Sequence, residues 1–73
     1  MVMTSGQLRA GHCYLTAQQD VRRIVEFEGS FVRFVARRNG IFQEWNKRCW
    51  ATMTRADFAR DVIREVRCDW RAE

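Results

Sequence analysis

The side chains best suited to metal binding or covalent catalysis are few and widely spaced in this sequence. There are three cysteines, Cys13, Cys49 and Cys68, and one histidine, His12. A tetrahedral metal site usually draws on closely spaced ligand pairs, and no such pair occurs here. His12 and Cys13 are adjacent, which suits a single site poorly. The sequence therefore predicts no bound metal and no cofactor.

The same residues offer little to an enzyme. A thiol nucleophile needs a base held beside it, and no periodic pattern around His12 and Cys13 predicts an element that would hold them. The carboxylates alternate with arginines, which favours ionised surface pairs over an acid of raised pKa. No glycine-rich loop fits a phosphate site. We therefore expect a protein that is not an enzyme.

The cysteine pattern also bears on the cellular compartment. An odd number of widely separated cysteines is not a disulfide framework, so we expect free thiols in a reducing environment. Cys68, on the outer side of a predicted helix, is then the thiol most open to a reagent. The sequence contains no long apolar run and no signal-peptide pattern. These features predict a soluble protein with no membrane partner, in the cytoplasm of a bacterial host.

Any binding surface must be positioned by a single small domain over residues 1–73, with residues 1–15 a mobile N-terminal arm. Its strongest periodic signal is a C-terminal amphipathic helix over residues 54–70. Thr54 can cap the start of this helix, with Asp57 at its third position. The apolar side chains of one helical face are Phe58, Ala59, Val62, Ile63, Val66 and Trp70. Such a face needs an apolar surface to cover.

The middle of the chain has two interpretations. In the first, it forms a three-stranded antiparallel β-meander with strands at about 21–28, 31–38 and 41–49. The C-terminal helix then covers one face of this sheet, which gives a two-layer α+β fold. In the second, apolar residues of the first half follow a helical period, and the protein is all-α with helices at about 16–38 and 54–70.

Two dipeptides favour the meander. The Gly-Ser at 29–30 and the Asn-Gly at 39–40 both suit two-residue hairpin turns. Pairing outward from the first turn makes Glu26 and Arg33 a cross-strand ion pair. Both turns place the same apolar side chains on one face, so the two predictions support each other. Those side chains are Val25, Phe27, Val32, Phe34 and Trp45.

The opposite face of the predicted sheet is the expected partner-binding surface. Arginines lie beside aromatic residues there, the composition of interface hot spots, and no second helix covers them. Three occupants remain open: a partner macromolecule, a second copy of the chain in a homodimer, or the N-terminal arm. The residues expected to contact a partner are Phe31, Arg33, Arg37, Phe42, Arg48 and Trp50.

In size and organisation the chain resembles the small phage-encoded inhibitors, anti-CRISPR proteins among them. The resemblance implies a non-enzymatic inhibitor, encoded by a phage or mobile element, that blocks a host defence by occupying a host protein or ribonucleoprotein complex. Its net charge of +4 differs from that of acidic inhibitors that mimic DNA. The expected target is therefore an acidic or apolar protein surface.

Nucleic acid is the alternative partner. The segment FVRFVARRNGIFQEW, followed by a helix that opens with Thr54, resembles the arm-type DNA-binding domains of phage integrases. Those domains place a three-stranded sheet in the major groove. The resemblance implies a small DNA-binding accessory or regulatory protein that uses the basic and aromatic face. A homodimeric structural module is the second alternative.

Overall fold

The protein, described here from a computed structural model covering residues 5–38 and 40–71, is a curled sheet of five antiparallel strands with one helix. The strands lie in the order β4-β3-β2-β1-β5, so the last strand returns to pair with the first. The helix α1 connects β4 to β5. The elements are β1 (Cys13–Thr16), β2 (Val21–Glu28), β3 (Phe31–Ala36), β4 (Ala51–Thr54), α1 (Arg55–Asp61) and β5 (Val62–Val66), with 3₁₀ turns at Ser5–Gln7 and Lys47–Cys49.

The first predicted hairpin is confirmed. β2 and β3 pair around the turn at 29–30, with Glu26 opposite Arg33. Gly29 has a φ of 59° there, in the left-handed region that glycine enters without strain. The predicted ion pair forms, with Arg33 Nη1 3.6 Å from Glu26 Oε2. Local turn chemistry and strand propensity are sufficient to specify this unit.

A β-bulge changes the register in the middle of β2. It lies between Ile24 and Glu26, so Ile24 and not Val25 pairs with Phe34. Ile24 therefore takes the place on the face of Phe34 that the sequence pattern assigns to Val25. Because the extra residue reverses the alternation of side chains, Ile24 enters the helix-covered core and is fully buried.

The rest of the predicted meander is wrong. Residues 41–49 do not form a third strand: Ile41 makes only an isolated bridge to Arg38, and Lys47–Cys49 is a 3₁₀ turn. The strand that pairs with β3 is β4, further along the chain. The predicted turn at 39–40 lies partly outside the described residues. The all-α alternative is also wrong, because residues 21–28 and 31–36 are paired strands.

The predicted C-terminal helix is correct at its start and wrong in its length. The Thr54 hydroxyl accepts a hydrogen bond from the Asp57 N–H at 3.1 Å, as the capping pattern predicts. The helix then ends at Asp61, and Val62–Val66 continues as β5. Three of these five residues are β-branched, and pairing with β1 satisfies the backbone in a way that a longer helix could not.

Part of the expected N-terminal arm belongs to the core. Cys13–Thr16 forms β1, an interior strand between β2 and β5. Tyr14 is fully buried and packs edge-on against Phe58, with ring centroids 5.9 Å apart. Leu8 is buried in the same cluster. Residues 1–4 of the arm lie outside the described residues.

Both faces of the sheet are covered, so the predicted bare face does not exist. The helix side holds a cluster built on Tyr14, Ile24, Val32, Phe34 and Phe58. The opposite side holds a second cluster, which consists of Cys13, Leu15, Val21 and Val66 with Phe42, Cys68 and Trp70 packed against it. The returning C-terminal segment therefore acts as the second layer.

A disulfide between Cys13 and Cys68 joins β1 to this segment across 55 positions of sequence. The expectation of three free thiols is wrong, and so is that of a reactive Cys68. Cys49 is the free cysteine, and it is exposed. Disulfides persist mainly in oxidising compartments, so the cysteines no longer support a cytoplasmic location. Within the described ranges, no helix has the length and apolar character needed to cross a membrane.

Candidate functional site

The long connection between β3 and β4, residues 37–50, is the most distinctive surface feature, and we call it the β3–β4 loop. It exceeds the roughly 12 residues beyond which loops in compact domains are uncommon and often functional. Its shape is fixed by internal hydrogen bonds. Trp50 Nε1–H donates to the Glu44 carbonyl at 2.8 Å, and Asn46 Oδ1 accepts from the Arg48 N–H at 3.1 Å. Glu44 also forms an ion pair with Arg23 of β2 at 2.8 Å.

A cleft of about 340 Å³ lies between this loop and the neighbouring strands. Its described walls are mostly apolar, and the polar side-chain groups among them are two guanidinium groups, one amide and one thiol. The thiol of Cys49 donates to Gln43 Oε1 at 3.1 Å. The lining residues are Phe34, Ala36, Arg38, Ile41, Gln43, Arg48, Cys49 and Ala51.

Every carboxylate of the described chain has a basic neighbour. Each of the eight lies within 3.6 Å of a basic side chain, with Arg22 and Arg33 each shared by two carboxylates and Glu65 beside His12. Eight cationic side chains, in contrast, have no carboxylate partner in residues 5–38 and 40–71. They are Arg9, Arg37, Arg38, Lys47, Arg48, Arg55, Arg64 and Arg71.

Half of these unpaired cations lie in the β3–β4 loop. Arg37 is engaged, because its Nη1 donates to the Cys68 carbonyl at 3.0 Å. Lys47 Nζ lies over the Trp50 ring at 5.7 Å. The side chains of Arg38 and Arg48 have no such contact with any described residue, and both line the cleft. Two of the unpaired arginines are therefore placed at this cleft.

Exposed apolar side chains occur in the same loop. Ile41 is 51% exposed at the edge of the cleft, and Trp45 is 75% exposed. The prediction that Trp45 packs inside the sheet is wrong, because residues 41–49 are not a strand. Large apolar side chains beside unpaired arginines have the composition of interface hot spots.

Four of the six predicted contact residues lie in or near this loop, with different environments. Arg48 alone lines the cleft, and Trp50 is half-buried behind it. Phe42 packs on the second core cluster, and Arg37 holds the C-terminal segment through Cys68. The side chains of Phe42, Arg37 and Trp50 are therefore engaged in contacts within the protein.

The other two predicted residues lie at the far end of β3. Phe31 and residue 37 are about 20 Å apart along the strand, at about 3.3 Å per residue. Phe31 is 47% exposed. Arg33 forms ion pairs with both Glu26 and Glu28, so its charge is already compensated. The structure does not bring the six residues together on one surface.

The residues that sequence reasoning missed are Arg38, Ile41, Gln43 and Cys49. They fall within the predicted strands 31–38 and 41–49, and strand geometry does not bring them to one cleft. Charge density was the available signal, because residues 37–50 contain four basic residues and one acidic residue. A charge balance summed over segments that meet at residue 40 hides this excess, because the basic residues are then divided between two segments.

The thiol of Cys49 has no neighbouring base among the described residues of the cleft. Their side chains include no carboxylate and no histidine. His12 instead lies 3.0 Å from Glu65. In the described part of the chain, no three His, Cys, Asp or Glu side chains come together to hold a metal ion.

Comparison with known protein families, with functionally characterised proteins and with solved structures gives no match.

Proposed function

We propose that this chain is a non-enzymatic protein-binding inhibitor that uses its β3–β4 loop to occupy an acidic surface of a partner protein. The observation that carries the proposal is the coincidence of free charge and exposed apolar surface on one braced loop. Arg38 and Arg48 have no described carboxylate partner, and Ile41 and Trp45 are exposed in the same loop. A loop already held in shape loses little entropy on binding.

A protein partner fits the cleft better than a nucleic acid does. Recognition of single strands depends on open aromatic faces on which bases stack, and Phe34, the aromatic residue of the cleft, is buried. Nucleic-acid affinity also rises with the number of phosphates neutralised, and two free arginines supply few. The arginines of the cleft can pair with acidic side chains of a partner protein, and its aliphatic walls can contact apolar ones.

The biological setting follows from the resemblance to phage-encoded inhibitors such as anti-CRISPR proteins, which rests on size and organisation alone. In that setting the partner is a host protein or ribonucleoprotein complex, and the protein works in the bacterial cytoplasm. Thiols are kept reduced there, so the Cys13–Cys68 bond would open. The fold must then persist without it.

Capture from host lysate with paired variants tests the proposal. The immobilised wild type is compared with Arg38→Glu/Arg48→Glu and with a control, Arg60→Glu/Arg67→Glu. The control changes the charge equally at side chains that are 73% and 87% exposed, outside the cleft. After nuclease treatment, we expect one protein partner to be retained by the wild type and the control and lost by the cleft variant.

A partner retained equally by all three proteins would refute the assignment of the surface. Retention that disappears on nuclease treatment would point to nucleic acid. In that case, a mobility shift with duplex DNA that weakens steeply between two salt concentrations would replace the protein-binding proposal with the DNA-binding alternative.

A further inference from the structure

The cleft is built to admit a small apolar group. Its volume of about 340 Å³ lies at the lower end of the roughly 300–1,000 Å³ that ligand pockets span. That is room for a side chain and its immediate backbone. Ala36, Ile41 and Ala51 provide aliphatic walls, and the exposed position of Ile41 leaves one wall open to solvent.

The polar groups of the cleft are mainly hydrogen-bond donors. Each guanidinium of Arg38 and Arg48 carries N–H donors and no acceptor. Gln43 Oε1 accepts from the Cys49 thiol, and the amide NH₂ of Gln43 is a further donor. A base edge presents donors as well as acceptors, whereas a carboxylate presents acceptors only. This donor-rich lining therefore suits an anionic acceptor, and a carboxylate is one such group.

Resting on the proposed function, we propose that the cleft binds an acidic peptide segment of the partner that carries one aliphatic side chain between carboxylates. The aliphatic side chain lies between the walls of Ala36, Ile41 and Ala51, and the flanking carboxylates pair with Arg38 and Arg48. Charge complementarity supports this occupant, because every described carboxylate of the chain lies beside a basic side chain other than these two arginines. Arginine and carboxylate can pair through two parallel hydrogen bonds, which fixes orientation as well as affinity.

Fluorescence anisotropy with labelled peptides tests this inference. The probe is an acidic peptide with one central leucine between aspartates and glutamates, and the matched probe replaces that leucine with serine. We expect the serine probe to bind at least tenfold more weakly, the lower bound for filling an apolar pocket. Arg38→Gln/Arg48→Gln should weaken the leucine probe at least tenfold, whereas Arg60→Gln/Arg67→Gln should change it less than twofold.

Equal binding of the two probes, or no binding at millimolar peptide, would overturn the inference. A single-stranded oligonucleotide that displaces the peptide and binds more tightly would identify a phosphate ligand and overturn it too. Failure of this inference can be distinguished from failure of the proposed function. If the peptides do not bind but the lysate partner is still lost by Arg38→Glu/Arg48→Glu, the surface is correct and the occupant chemistry is wrong.

Discussion

Opening the disulfide should remove a large part of the stability of this domain. Cys13 and Cys68 close a loop of 55 residues between β1 and the C-terminal segment. In the chain-entropy model a loop of that size is worth about 4 kcal/mol, because the bond restricts the unfolded chain. A domain of 73 residues has a total stability of about 4–11 kcal/mol. The reduced protein should therefore keep about 0–7 kcal/mol of stability.

Guanidinium unfolding of a Cys49→Ser protein, with and without a reductant, measures this effect. Cys49→Ser prevents thiol exchange and leaves the disulfide intact. With a slope of about 2 kcal/mol/M, we expect reduction to lower the midpoint by about 2 M. Cys13→Ser/Cys68→Ser in the same background should reproduce the reduced midpoint. A midpoint that does not move, together with peptide mapping that finds no bond between the two residues, would refute the reasoning.

Three further predictions concern single sites. Burial raises the pKa of Tyr14, so above its usual value of 10.0 the unfolded chain loses a proton that the folded chain keeps. Stability should fall as pH rises through that value, and Tyr14→Phe should remove the fall. Arg22 is 8% exposed and forms ion pairs with Asp20 and Asp61. Asp20→Asn/Asp61→Asn leaves the buried guanidinium without a carboxylate, so the free energy of unfolding in urea should fall by about 3 kcal/mol. Arg22→Met should lower it by less. Trp45→Ser should change stability by less than about 0.5 kcal/mol, because the side chain is exposed, and should still weaken partner capture.

Each of these predictions has a contrary outcome. A Tyr14→Phe protein with the same alkaline loss as the wild type would assign that loss to other groups. An Arg22→Met protein less stable than the double asparagine variant would mean that packing against Phe34 and Phe58 outweighs the charge. Full partner capture by Trp45→Ser would remove this side chain from the interface.

The parts of the fold that could be predicted are those specified by neighbouring residues. The hairpin at 29–30 depends on a glycine with positive φ and on flanking β-branched residues, all within a few positions. The Thr54 cap depends on one hydroxyl and the N–H three residues later. At these two positions the local signals agree with the contacts made by the rest of the chain.

The parts that were missed depend on partners far away in sequence. Val62–Val66 fits the spacing of a helical face, yet pairing with Cys13–Thr16 makes it a strand. The strand partner of β3 is Ala51–Thr54 and not the predicted 41–49, and local alternation does not distinguish the two segments. The cleft depends on that same choice, because it forms only where residues 37–50 leave the sheet.

Cys49 provides the most direct test of the claim that this cleft is the binding surface. It is the free cysteine, and its side chain lines the cleft beside Arg48. The measurement is the rate at which a thiol reagent modifies Cys49, with and without a saturating concentration of the acidic leucine peptide or the captured partner. We predict that either ligand slows the modification several-fold. An unchanged rate at a concentration where anisotropy shows full binding would place the ligand elsewhere and contradict the claim.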